Sequence, residues 1–230
     1  WLEDVMLHTV GPDVYDQWVS HRIPFNDSRV VTALDQVGNI LKNDAYVNGG
    51  LGNAKSIATT SFVAAGLPIL DKSCFLHRQA SFYQVNWPTD KKIAEDGDVF
   101  AFPLPGTTET DPPVLVGGEF AAAFSEREEV RAFQGYLTSP EYSNTKAKVT
   151  GPGWISANKK LDPSNVSSPV DRVSYELITN DSSVLRFDAS DQMPGAVGTG
   201  TFWTGMADWI SSEKSSQDVL TEIENSWPKD

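Results

Sequence analysis

Apolar residues recur at helical spacing at both ends of this chain, and the closely grouped strand-like runs all fall in its middle. Residues 3–9 read as a helix with Val5, Met6 and Val10 on one side, ended by Gly11-Pro12, whose proline starts the next helix. Val14, Tyr15, Trp18 and Val19 continue at the same spacing. Pro24-Phe25-Asn26-Asp27 is a turn with a capping candidate, and Val30, Leu34, Val37 and Leu41 then form an amphipathic stripe. A short helix is expected over 54–65, after the loop Gly49-Gly50-Leu51-Gly52. The strand-like runs are Cys74 to Tyr83, Val99 to Leu104 and Val114 to Phe120, punctuated by Pro103, Pro105-Gly106 and Asp111-Pro112-Pro113.

Beyond them, Ser125-Glu126-Arg127-Glu128 has the form of a capping box, ahead of a helix with Val130, Phe133 and Leu137 inward. Ser139-Pro140-Glu141 opens another helix by the same logic. Residues 169–179 read as a helix, 184–187 as a short strand, 188–200 as a glycine-rich loop, and 201–211 and 217–226 as closing helices. With helices flanking a few short strands and no strand ahead of the first helix, a dinucleotide-binding layout is not expected.

Charge narrows the partners. The 230 residues carry a formal net charge of -13, which repels phosphate backbones and anionic membrane surfaces but not neutral ligands. A nucleic-acid partner is therefore not expected. No run approaches the 18 or so apolar residues of a bilayer span. Trp1-Leu2-Glu3-Asp4 has neither a basic region nor an apolar signal core, so the start reads as made by processing or by design of the expressed segment. The single cysteine, Cys74, reads as buried filler. Three Asn-x-Ser matches, at Asn26, Asn165 and Asn180, read as accidental.

Catalytic and metal patterns are missing from the sequence. His8, His21 and His77 have no helical metal-ligand spacing, there is no cysteine pair, and no calcium loop is present, so neither a metal site nor a cofactor is expected. No serine sits in a nucleophile elbow, and the Gly49 to Gly52 loop lacks the Lys-Ser or Lys-Thr of a phosphate cradle. Among 31 acidic residues, Glu119, Asp188 and Asp191 are candidates for a glycosidase carboxylate pair; ordinary surface or capping carboxylates are the alternative.

Aromatics point elsewhere. Phe82-Tyr83, Trp87, Phe120, Trp154 and Phe202-Trp203 lie beside glycine or polar residues, outside clean core stripes. Flat rings in loops suit the apolar face of a sugar, with polar side chains taking its hydroxyls; core packing is the alternative for each ring.

Several segments carry a family resemblance. They are Asp71 to Tyr83 (DKSCFLHRQASFY), Asp98 to Gly106 (DVFAFPLPG), Pro113 to Pro140 (PVLVGGEFAAAFSEREEVRAFQGYLTSP), Asp191 to Trp209 (DQMPGAVGTGTFWTGMADW) and the opening WLEDVMLHTVGPDVYDQWVSHRIPF. Together they resemble the C-terminal portion of an extracellular solute-binding protein of a carbohydrate ABC importer, of the alpha-glucoside-binding subgroup. The resemblance implies an α/β, periplasmic-binding-protein-like fold: a helix-rich second lobe plus a fragment of the first, with the N-terminal part missing. It implies a second-lobe segment over 1–97, a hinge crossing and first-lobe segment over 98–140, and a return to the second lobe over 141–230.

The resemblance also implies sugar capture without catalysis, delivery to membrane permease subunits, a periplasmic or lipid-anchored location, and a monomer. It places Leu76-His77-Arg78-Gln79 in the cleft, where Arg78 would clamp hydroxyls; a salt bridge or hinge contact is the alternative. Glu119 would accept from hydroxyls, and Gly118 would permit close backbone approach. Trp203, with Phe202, would stack on a sugar ring, and Trp154 would lie near the cleft. A glycoside hydrolase using Glu119 and Asp188, and a purely structural or interaction domain, are the competing readings.

Overall fold

The structure, a computed structural model, describes residues 1–106 and 113–229. Asp111-Pro112, part of the expected punctuation, lie outside the described residues. The chain forms two compact units. Unit 1 is Trp1–His77, Pro105–Gly117 and Val184–Asp230; unit 2 is Arg78–Leu104 and Gly118–Ser183. The fold is α/β, helix-rich with a small parallel sheet, consistent with part of a periplasmic-binding-protein-like lobe.

Unit 1 begins with helices α1 (Leu2–Val10), α2 (Pro12–Val19) and α3 (Ser28–Leu41). Gly11 separates the first two at φ 81, a left-handed value that suits glycine. The Asp27 side chain caps α3 by accepting from the Arg29 amide. The expected stripe is real, since Val30, Ala33, Leu34 and Val37 are all buried. Short 3-10 and α turns follow, with α4 at Phe62–Ala65.

Strands β1 (Val114–Val116) and β2 (Leu185–Phe187) pair in parallel, Val114 opposite Leu185 and Val116 opposite Phe187. The expected strand over 114–120 is thus shorter. The remaining helices of unit 1 are α8 (Phe202–Ser211) and α9 (Ser216–Asn225), the latter capped by Ser215. One core holds the unit together. Met6, Leu7, Tyr15, Trp18, Phe25, Val30, Val197, Val219 and Leu220 are fully buried within it.

Unit 2 contains α5 (Glu128–Leu137), α6 (Pro140–Val149) and α7 (Pro169–Thr179). Ser139 and Ser168 cap α6 and α7, each followed by proline in the first turn. Ala147, Leu161, Val166 and Tyr175 make its small core. A buried polar network stands beside that core: Gln84 Nε2 donates to Asp171 at 2.6 Å, and the Gly153 amide donates to the same carboxylate at 2.8 Å.

Six expectations need correction. Residues 74–80 form no strand, and Ser81–Asn86 is a 3-10 turn. Over 99–104 only an isolated bridge forms, between Ile93 and Val99. A strand needs a neighbouring strand to take its amides and carbonyls, and composition alone does not supply one. Ser125 does not cap α5; the helix starts later, at Glu128, after Arg127. Phe133 is not inward but 61% exposed. The loop expected over 188–200 is a 3-10 turn at Ser190–Gln192, then a wide π-type turn at Ala196–Thr201 running into α8. Cys74 is half-buried.

Candidate functional site

The wide turn decides what the adjacent aromatics do. Gly198 lets the backbone pack closely, since a β-carbon there would overlap the Ser190 carbonyl oxygen. Thr201 Oγ1 and Ser226 Oγ share a hydrogen bond at 2.7 Å, tying the end of the turn to the end of α9. Phe202 then falls inward and is 6% exposed, its ring edge-on to Trp18 at 5.9 Å and to Phe25 at 5.1 Å. Its ring faces the core, not an incoming sugar. Trp203, one residue on and about 100° around the helix, is 75% exposed. It presents a flat indole from a rigid helix, the arrangement a stacking residue requires.

The other candidates divide between the units. His77 ends the first segment of unit 1 and Arg78 opens unit 2, both half-buried. Gly118 and Glu119 are exposed beyond β1. Gly118 does not adopt the left-handed conformation that would demand glycine. Glu119 lines an open depression of about 490 Å³ in unit 2, between Glu119-Phe120-Ala121 and the Gln134, Gly135, Leu137 and Thr138 end of α5. Gln134 Nε2 donates to the Ala121 carbonyl at 2.9 Å and holds that segment along the helix. Glu119 and the amide and hydroxyl of Gln134 and Thr138 give the depression acceptors and donors suited to hydroxyl groups.

Trp154 does not line that depression. It packs on the small core, edge-on to Tyr142 at 6.5 Å, with Lys146 Nζ 4.6 Å above its ring. Gly153, which delivers it, sits at φ 97 against the Phe82 backbone.

Sequence reading named Asp188 but missed its half-buried pairing with Glu3 in unit 1. Glu3 and Asp188 both accept from the Ser190 amide, at 2.9 and 3.1 Å. Burial pushes the Glu3 carboxyl up to about 7, helped by the Asp188 charge and a hydrogen bond between the two side chains. Burial and the same two carboxyl groups push the nearby Tyr15 phenol up as well. Nothing local signals this pair, whose members lie at opposite ends of the sequence. Among the described residues, no cluster of His, Cys, Asp and Glu is arranged to hold a metal. No helix among them is long and apolar enough to cross a membrane.

Comparison with known proteins gives two relatives. The chain is 42% identical over 230 residues to the osmoprotective compounds-binding protein of Synechocystis sp. (strain ATCC 27184 / PCC 6803 / Kazusa), covering 100% of this chain and 53% of that protein. It is 36% identical over 230 residues to the alpha-glucosides-binding periplasmic protein of Rhizobium meliloti (strain 1021), covering 99% and 49%. The chain therefore spans about half the length of the curated relatives it matches. No family model matches the chain, and no solved structure does. Identity at this level along the whole chain makes it a homologue of binding proteins.

Proposed function

We infer that the chain belongs with the extracytoplasmic solute-binding proteins of carbohydrate ABC importers, and that it binds a neutral saccharide without performing chemistry. The carrying observation is the alignment of its full length with two proteins whose names state binding, one of them of alpha-glucosides and periplasmic. On this reading the ligand is an alpha-glucoside or a related compound. Trp203 stacks on a ring, and Glu119, Gly118, Arg78 and His77 contribute polar contacts. Trp154 and Phe202 support their segments from within. The chain serves as a monomer outside the cytoplasmic membrane and hands its ligand to permease subunits. A net charge of -13 is compatible with a neutral polyol and leaves capture to stacking and hydrogen bonding.

Isothermal titration with maltose, trehalose and sucrose, paired with tryptophan emission, tests the reading. Heat and a change in emission with at least one sugar are expected, with the affinity weakened roughly tenfold in Trp203→Ala. Silence in both signals for all three sugars overturns it.

A further inference from the structure

The wide turn that presents Trp203 is held at two places. Its far end is tied by the hydrogen bond between Thr201 and Ser226. Its near end rests on Ser190, whose carbonyl oxygen occupies the space a β-carbon on Gly198 would need. Gly198 is itself buried. Backbone packed this closely transmits a displacement instead of absorbing it. Whatever fixes Ser190 therefore bears on how α8 starts and how its exposed indole is set.

Two acids fix Ser190. Its amide donates to Glu3 at 2.9 Å and to Asp188 at 3.1 Å, and its hydroxyl donates to Asp188 at 2.7 Å. Glu3 belongs to α1, so this junction couples that helix to the turn. With a proton on Glu3, the two carboxyl groups share a hydrogen bond. Without it, like charges meet at one amide, and the junction cannot keep both acceptors so close.

The other charged groups nearby do not relieve that repulsion. The amino group at Trp1 favours ionised Glu3, but less than burial and Asp188 oppose it. Tyr15 of α2 donates its phenol to the Phe187 carbonyl at 2.9 Å, and burial with the charges of Glu3, Asp188 and Asp4 pushes that phenol up. Asp16 of α2 is paired with Arg186 of β2 at 2.6 Å, and Arg29 of α3 with Asp27 at 2.8 Å. His8 of α1 turns to the Asp4 carbonyl at 2.8 Å. Asp13, Asp35 and Asp191 are exposed, and Val114–Val116 of β1 carries no charged side chain.

We propose that Glu3 and Asp188 are positioning residues for the binding surface: a proton held between them seats Ser190 against Gly198 and sets the Trp203 ring for a ligand, and loss of that proton displaces the ring. Any effect on affinity rests on the saccharide reading above; the movement of the ring does not.

Indole N–H magnetic resonance of the nitrogen-labelled chain follows the ring with no ligand present. The Trp203 signal, assigned by its loss in Trp203→Phe, should move with a midpoint at about 7, where Glu3 gives up its proton. It should stay fixed in Glu3→Gln, whose amide keeps a donor toward Asp188 without titrating. Asp188→Asn, which removes the opposing charge, should lower the midpoint. The signal of Trp154, in unit 2, should not follow that midpoint. Titration with maltose, trehalose and sucrose then reads affinity, which should fall about fivefold or more between about pH 6 and about pH 8 in the parent and stay level in Glu3→Gln. Far-UV circular dichroism checks that each chain keeps its helices across that range. A Trp203 signal that does not titrate in the parent, or that titrates alike in Glu3→Gln, would overturn the proposal, and so would an affinity that falls equally in both. A titrating ring with no heat from any sugar supports the positioning role and overturns the saccharide reading instead.

Discussion

The carboxyl groups of Glu3 and Asp188 converge on one backbone amide, that of Ser190, at 2.9 and 3.1 Å. Ser190 Oγ also donates to Asp188 at 2.7 Å. Burial, and with it the neighbouring Asp188 charge, makes ionisation of Glu3 costly there.

That arrangement sets a pH dependence. Glu3 stands at about 7 in the fold against 4.5 as its ordinary value. A raised acid favours the folded state while protonated, so its contribution is present below pH 4.5 and is lost as pH rises through about 7. Across that window the expected slope is on the order of 1.4 kcal/mol per pH unit. Urea unfolding from pH 4.5 to 8 should show stability falling more steeply in the parent than in Glu3→Gln. Parallel curves would remove Glu3 as the cause. Asp188, Tyr15 and the amino group at Trp1 are the other groups that act on it.

Phe202 and Trp203 should separate stability from binding. Phe202→Ala removes a ring packed on Trp18 and Phe25 and is expected to cost about 3–5 kcal/mol of unfolding free energy. Trp203→Ala should stay within about 0.5 kcal/mol of the parent in stability. It should weaken sugar binding roughly tenfold, the scale of one lost aromatic stack. Equal destabilisation by the two variants would contradict the placement of these rings.

Two glycines should respond in opposite directions to alanine. At Gly198 the new methyl meets the Ser190 carbonyl, and a loss of at least about 2 kcal/mol is expected from forced backbone movement. At Gly135, on α5, nothing lies within 4 Å of the added carbon. There the helix should gain about 0.5–1 kcal/mol from alanine. Thermal melts of the two variants give the signs directly.

Asp171→Asn tests the network in unit 2. The carboxylate takes one hydrogen bond from Gln84 and one from the Gly153 amide. An amide in its place turns one acceptor into a donor facing a donor, with an expected loss of about 1–3 kcal/mol. Near-UV circular dichroism should report loosening around Trp154, since Gly153 leads into it. An unchanged melt would show that the network is not under this constraint.

The helices were legible in the sequence because their signals are local. Asp27, Ser139 and Ser168 cap where the residue types say they should, and Pro12, Pro140 and Pro169 stand in first turns. The strands were legible in part: the runs at 114–120 and 184–187 contain β1 and β2, but those at 74–83 and 99–104 form no strand. Residues 74–83 have strand composition, yet pairing depends on distant chain, as β1 does on β2 some seventy residues later. The site was half legible. Phe202-Trp203 was found as a pair, but only the wide turn ahead of it shows which ring faces the core. The Glu3–Asp188 contact leaves no sequence trace, since it joins residues separated by nearly the whole chain.

The division of the chain has a consequence for its synthesis. Unit 1 is assembled from three separated stretches, and Val219, Leu220 and Ile223 of α9 are buried in the same core as α1 and α3. A ribosome releases the front of that core first and its last wall nearly two hundred residues later. Until α9 emerges, Val30, Leu34 and Trp18 have no complete interior to enter. All of unit 2 has been made by residue 183, so the order of completion is the reverse of the order in which the chain begins.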